Sequence, residues 1–315
     1  MAPAPKLMRG FQMDVILHAD DFGVTPEQSD RILTCATEGV LNSLSVFANS
    51  PRFDECVSLL DGRPSGLRVG VHLNFVEGPC CADPASIPML VDSAGVFRLG
   101  YGALLRLSFG PEAAELRRQL ALEVTAQVER ALDRLPELAC HLRLDGHQHT
   151  QLIPAVFGAV LETVRAHDEW HLEYLRIPAE PTRPFLVPSV LGTVRPVNWV
   201  KHELLRRLWD LDRGTLAAAG LGDAPGLSAT FCGVLFSGRM DEHRVAAVWP
   251  GLVGQARRAG TDLELLFHPG RVARPEDCLN PALPGFVAFS CGEGRDVEHD
   301  ALCSKTLREL VGEVA

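Results

Sequence analysis

An alternation constrains the fold of this chain more than any other feature. Seven short runs rich in apolar and β-branched residues, at 13–18, 43–48, 67–72, 140–145, 173–177, 229–236 and 263–268, are separated by longer segments with helical patterning. Helices are expected near 26–40, 53–61, 112–134, 154–167, 198–210, 242–258 and 300–312. The clearest is 112–134, where Leu116, Leu120, Val124, Val128 and Leu132 recur every four residues. Strands that alternate with helices pair in parallel through helical crossovers, so the chain reads as an α/β sheet, open or closed into a barrel. Its 315 residues are enough for one large domain, and 1–315 is read as a single unit. Two stretches interrupt the pattern. Residues 78–111, rich in Pro, Gly and Ser, read as an insertion loop. Residues 178–197 carry Pro178, Pro181, Pro184, Pro188 and Pro196, too many for a regular element.

A parallel sheet opens all its carboxyl ends on one face, and that face is where the chemistry-bearing residues fall. Asp20 and Asp21 follow the first strand, and His72 ends the third. Asp145 and His147 follow the fourth, Arg176 ends the fifth and His268 the seventh. Adjacent carboxylates at the end of an apolar run repel each other and are costly to bury. A divalent cation would relieve that, with one carboxylate as ligand and the other free for acid–base work. The plainer alternative is a solvated Asp-Asp turn that caps the next helix. Convergence with several histidines favours the cation. An Asp/His/His set can hold Zn²⁺ and leave positions open, yet it also resembles the two-His-one-carboxylate set of non-haem iron enzymes, so the ligand types leave the metal unidentified. Of the pair His147 and His149, one, His147, is expected as ligand and His149 in the substrate cleft. The other histidines, His18, His141, His167, His171, His202, His243 and His299, read as structural or exposed.

Composition narrows the function classes. A formal net charge of -10 without a basic stripe argues against a nucleic-acid partner. No apolar run reaches the roughly 18 residues of a membrane span, and the prolines in Met1–Gly10 leave no apolar core for a signal peptide. Nine cysteines without C-x-x-C spacing suggest neither a disulfide framework nor a zinc finger, and fit a reduced, cytoplasmic setting.

Ala-Asp-Asp-Phe-Gly at 19–23, Gly-Val-His-Leu-Asn at 70–74, Asp-Gly-His-Gln-His at 145–149, Arg-Ile-Pro at 176–178 and His-Pro-Gly at 268–270 together resemble the YdjC/ChbG-like carbohydrate deacetylases. The resemblance runs from about residue 13 to residue 312. It implies a distorted, TIM-like (β/α) barrel related to polysaccharide deacetylases, with about seven parallel strands. It also implies a divalent metal, Mg²⁺ or Zn²⁺, and removal of acetyl groups from N-acetylated sugars. Carried over by position, Asp21, His72 and His147 would be the metal ligands, Asp20 the base, Arg176 its orienting partner and His268 the acid. Asn74, Asp145 and His149 are expected to contact the sugar, and a homodimer is a family-based expectation. The chain has Gln151 where some relatives carry a further histidine, which would alter the substrate end of the cleft. Two alternatives stay open: a metal-dependent hydrolase or isomerase acting on another sugar group, and a non-catalytic sugar-binding relative.

Overall fold

A computed structural model describes residues 12–221 and 227–314. The N-terminal stretch read for a signal peptide lies outside them. The strands are β1 (Val15–Phe22), β2 (Ser43–Val46), β3 (Arg68–Leu73), β4 (Leu142–Gly146), β5 (Leu172–Leu175), β6 (Thr230–Cys232) and β7 (Leu263–Phe267). They form one parallel sheet in the order β5-β4-β3-β2-β1-β7-β6.

The sheet is strongly curled. β5 lies four places from β1, about 19 Å away in a flat sheet at the usual strand spacing. Yet Arg176, immediately after β5, donates to Asp20 of β1 at 2.8 Å, and Tyr174 of β5 donates to Glu264 of β7. Leu175 N also donates to Leu227 O at 2.8 Å, so the chain just ahead of β6 runs beside β5 at the open seam. The result is a half-barrel whose concave side carries charge. On β1, Val15, Leu17 and Ala19 join the main apolar core, whereas His18 and Asp20 face inward, as period-two alternation requires.

Helices pack on the outside. In Ala113–Arg134, Leu116, Leu120, Val124 and Val128 are fully buried, but at the last position of the stripe Ala131 takes the place of Leu132. Each step of four residues overshoots a helical turn by about 40°, so the stripe drifts off the contact face. The prolines of 178–197 do not exclude regular structure: Pro188 and Pro196 start the helices Pro188–Leu191 and Pro196–Ala218, where a missing N–H costs nothing. The insertion at 78–111 likewise contains a helix, Tyr101–Leu107. Buried Gln119 and Glu123 tie the insertion to the outer helix by accepting from Met89 N, Cys81 N and Ala82 N. The helix expected at 300–312 is two, Gly294–Cys303 and Lys305–Gly312, with Ser304 capping the second by accepting from Leu307 N.

Candidate active site

The two aspartates lie inside β1 rather than after it. The register with β2 shifts between Ala19 and Phe22, and Asp21 has φ 67, a left-handed conformation costing roughly 1–2 kcal/mol for a residue other than glycine. In a regular strand consecutive side chains would point to opposite faces. The bulge turns Asp21 so that both carboxylates border one imidazole: His72 Nε2 is 3.4 Å from Asp21 Oδ1, and His72 Nδ1 is 3.9 Å from Asp20 Oδ2. Gly23, at φ 115, completes the turn in a region only glycine enters easily. Thr25 then caps Pro26–Thr37, accepting from Gln28 N at 3.1 Å. Gln28 in turn donates to the Asp21 carbonyl at 2.8 Å.

Three donor atoms form a nearly equilateral triangle. Asp21 Oδ1 is 3.3 Å from His147 Nδ1 and 3.4 Å from His72 Nε2, and the two nitrogens are 3.4 Å apart. Such edges match donors about 2.0–2.1 Å from a common tetrahedral centre. Asp21 Oδ1 is buried and makes no hydrogen bond. The far side of each ring meets a carboxylate. His72 Nδ1 faces Asp145 Oδ1 at 2.5 Å, and His147 Nε2 faces Glu77. Carboxylates placed there fix the tautomer and turn the other nitrogen toward a metal. Burial pulls both imidazoles down, but Asp20 and Asp145 push His72 up to about 10, and Glu77 and Asp21 push His147 up to about 9. Among the described residues, Asp20, Asp21, Glu77, Asp145 and Glu264 face only two guanidiniums, Arg176 and Arg295, so the site calls for further positive charge. The residues fit a divalent cation.

Beside the triangle, His18, Asp20 and Asp145 form a second cluster, but there the cation is built in. Arg176, fully buried, spans both Asp20 oxygens with Nη1 at 2.8 and 3.0 Å. Its Nε and Nη2 meet Glu264 at 2.8 and 2.7 Å, and Nη2 also lies 3.2 Å from Asp145. The guanidinium fork therefore grips Glu264, and Asp20 receives a single nitrogen. Burial would raise both aspartates; Arg176 with His72 and His18 around Asp20, and Arg295 with His147 and His72 around Asp21, together outweigh it and hold both below the usual carboxylate range.

Arg295 comes from Gly294–Cys303. It donates to Asp21 Oδ2 at 2.6 Å, to Gly270 O at 3.1 Å and to Phe289 O at 3.1 Å. The same helix supplies buried Glu298, which accepts from His268 N at 2.6 Å and lies 3.4 Å from His268 Nδ1. Phe289 packs edge-on against His268 and Phe286 tilts over His147, so the helix Pro284–Ser290 walls this side.

His149 owes its place to strain rather than to an extended segment. Gln148 and His149 have φ 54 and 60 in the short turn His147–Leu152. The turn carries the His149 ring onto Phe231, away from the triangle. Burial and Arg176 pull it down to about 3, so it is neutral. Asn74, expected at the sugar, is fully buried. It donates to Glu77 O at 2.7 Å and accepts from Val76 N and Glu77 N, shaping the loop that presents Glu77. Asp145 is enclosed by His18, His72 and Arg176. Gln151 is buried behind the site against Arg176 O rather than in the cleft.

Sequence reasoning passed over His18, Glu77, Glu264, Arg295 and Glu298. Two of these carried a readable signal. His18 stands two residues before Asp20 and so shares its face, and Glu264 is an acid inside the apolar run Leu263-Glu264-Leu265-Leu266.

Residues 14–313 match the family described as YdjC-like protein. The chain belongs to the YdjC-like family. It is 28% identical over 306 residues to the mouse carbohydrate deacetylase, spanning 93% of this chain and 89% of that one. The human carbohydrate deacetylase is 27% identical over 304 residues, 94% and 86% of the two chains. A Listeria monocytogenes carbohydrate deacetylase is 36% identical over 121 residues, covering 38% of this chain and 46% of its own. Among solved structures, an Enterococcus faecalis protein named as a candidate cellobiose-phosphate cleavage protein superposes with a TM-score of 0.62 at 17% identity. The match covers 96% of this chain and 95% of that one, a likeness of fold.

Proposed function

We propose that this YdjC-like protein is a metal-dependent carbohydrate deacetylase, a hydrolase that releases acetate from an N-acetylated sugar of the N-acetylglucosamine type. The observation that carries the reading is the triangle of Asp21 Oδ1, His72 Nε2 and His147 Nδ1 set beside an ionised Asp20. Those three residues would hold a divalent cation, and two imidazoles in the set suit Zn²⁺ better than Mg²⁺. When bound, such an ion acidifies water and polarises an amide carbonyl. Asp20 accepts the water proton; Arg176 keeps it ionised and fixes its plane. His268, steadied by Glu298 and Phe289, protonates the departing nitrogen as the C–N bond breaks, leaving acetate and the free amine. His149, neutral and half-exposed, offers a hydrogen bond to the sugar, while Asn74 and Asp145 act through Glu77 and His72. The reading includes a cytoplasmic setting and a homodimer. Among the described residues, no helix is long and apolar enough to cross a membrane.

Acetate release from N-acetylglucosamine oligomers, with and without chelator, tests the proposal. Activity is expected to vanish with chelator and return with added metal. Asp20→Asn should lower the rate about 10²–10⁴-fold while the metal still binds. No acetate from any N-acetylated sugar, with metal bound, would overturn the reading in favour of a sugar-binding protein.

A further inference from the structure

Away from the cleft, Cys35, His299 and Cys303 bring two sulfurs and one imidazole nitrogen within 4.8 Å of one another. Cys35 lies on Pro26–Thr37, and the other two lie on Gly294–Cys303. His299 and Cys303 are four residues apart, so they stand one above the other on a single helix face. The Arg31–Asp296 ion pair, at 2.7 Å, holds the same two helices together. Cys35 is fully buried, whereas His299 and Cys303 are half-buried, which leaves an entry from solvent.

We propose that Cys35, His299 and Cys303 form a second metal site, a two-thiolate, one-imidazole set for a thiophilic cation such as Zn²⁺. This chemistry differs from that of the cleft: soft sulfur ligands select Zn²⁺ or Cu⁺ and reject Mg²⁺. Burial pushes both thiols above their ordinary range, so the ion displaces protons as it binds and its affinity rises with pH. The exposed Asp300 carboxylate lies 3.4 Å from His299 Nδ1, and a water completes the set. Arg295 and Glu298 sit on the same helix, so an ion bridging the helices stiffens the wall that holds Asp21 and His268.

The inference stands apart from the deacetylase reading, because its readout is optical. The reduced, metal-free protein is titrated with Co²⁺. The expected result is two equivalents per chain and a near-ultraviolet sulfur-to-cobalt charge-transfer band, which an Asp/His/His set cannot produce. Cys35→Ser with Cys303→Ser should abolish the band and one equivalent; His299→Ala should weaken that equivalent at least tenfold. Cys278 and Cys291, whose sulfurs are 3.7 Å apart beside the cleft, serve as the control: replacing both with serine should leave the band intact. If Cys35→Ser unfolds the chain, Cys303→Ser alone, at a half-buried position, should weaken the band. One equivalent without a band in the unsubstituted protein, or a band that survives loss of Cys35 and Cys303, overturns the proposal.

Discussion

The His18–Asp20–Asp145 cluster and the Asp21–His72–His147 triangle share one concave surface and use the same residue types, yet they meet their charge in different ways. In the first, Arg176 supplies a permanent cation, and Asp20, Asp145 and Glu264 all bear on it. In the second, Arg295 takes only Asp21 Oδ2 and leaves Oδ1 unpartnered toward two imidazole nitrogens. A covalently fixed cation makes a rigid base and its support; an incomplete one leaves room for an exchangeable ion. The sequence repeats Asp at 20 and 21, and the left-handed turn of Asp21 sends the pair into these two environments. Proximity alone does not make them equivalent.

The largest effect should come from removing the fixed cation. Arg176→Met leaves three buried carboxylates without their partner, and loss of one member of a buried pair typically costs about 3–5 kcal/mol. Chemical denaturation at neutral pH should show that loss, and adding Glu264→Gln should restore part of it. A midpoint unchanged in Arg176→Met would mean that the cluster does not depend on its guanidinium. A smaller effect is expected on the other side. Arg295→Gln frees Asp21 to rotate, and loss of a partner that orients a ligand typically lowers metal affinity about 10–100-fold. Competition with a chelator measures it, and affinity equal to that of the unsubstituted protein would show that the bulge at Asp21 suffices to aim Oδ1. Together the two variants separate a structural cation from a positioning one.

The convergent strand-end residues were legible in the sequence because parallel strands carry their ends to one face. Asp20, Asp21, His72, His147 and Arg176 meet there, drawn from strands as far apart in sequence as residues 20 and 176. The supporting groups were less visible, for two physical reasons. Glu77 is presented by a loop whose shape depends on Asn74 hydrogen bonds, and loop shape leaves no periodic trace. Arg295 and Glu298 lie in the first two turns of a helix expected to begin only at residue 300, so their buried face went unread. The inward curl itself is set by contacts such as Tyr174 with Glu264, between strands 90 residues apart.

Asp212 supplies the control that both clusters lack. It is buried on Pro196–Ala218; among the described residues its Oδ2 and the nearby Tyr101 hydroxyl are unpartnered, and no cation stands beside it. Burial alone pushes it up to about 8, the opposite direction from Asp20 and Asp21. The sign of its stability effect follows. An acid with a raised folded-state pKa binds its proton more tightly in the native protein, so its contribution is complete below the unfolded value near 3.8 and is lost as pH rises through about 8. Asp212→Asn, which removes the ionisation, should therefore stabilise the protein at pH values above about 8 by roughly 1 kcal/mol or more, the equivalent of one pKa unit, and have little effect near pH 4. Denaturation midpoints of the two proteins across that range measure the difference. A gap that stays constant with pH would show that Asp212 keeps its charge without help. Burial would then not be what distinguishes it from the aspartates that Arg176 and Arg295 hold ionised.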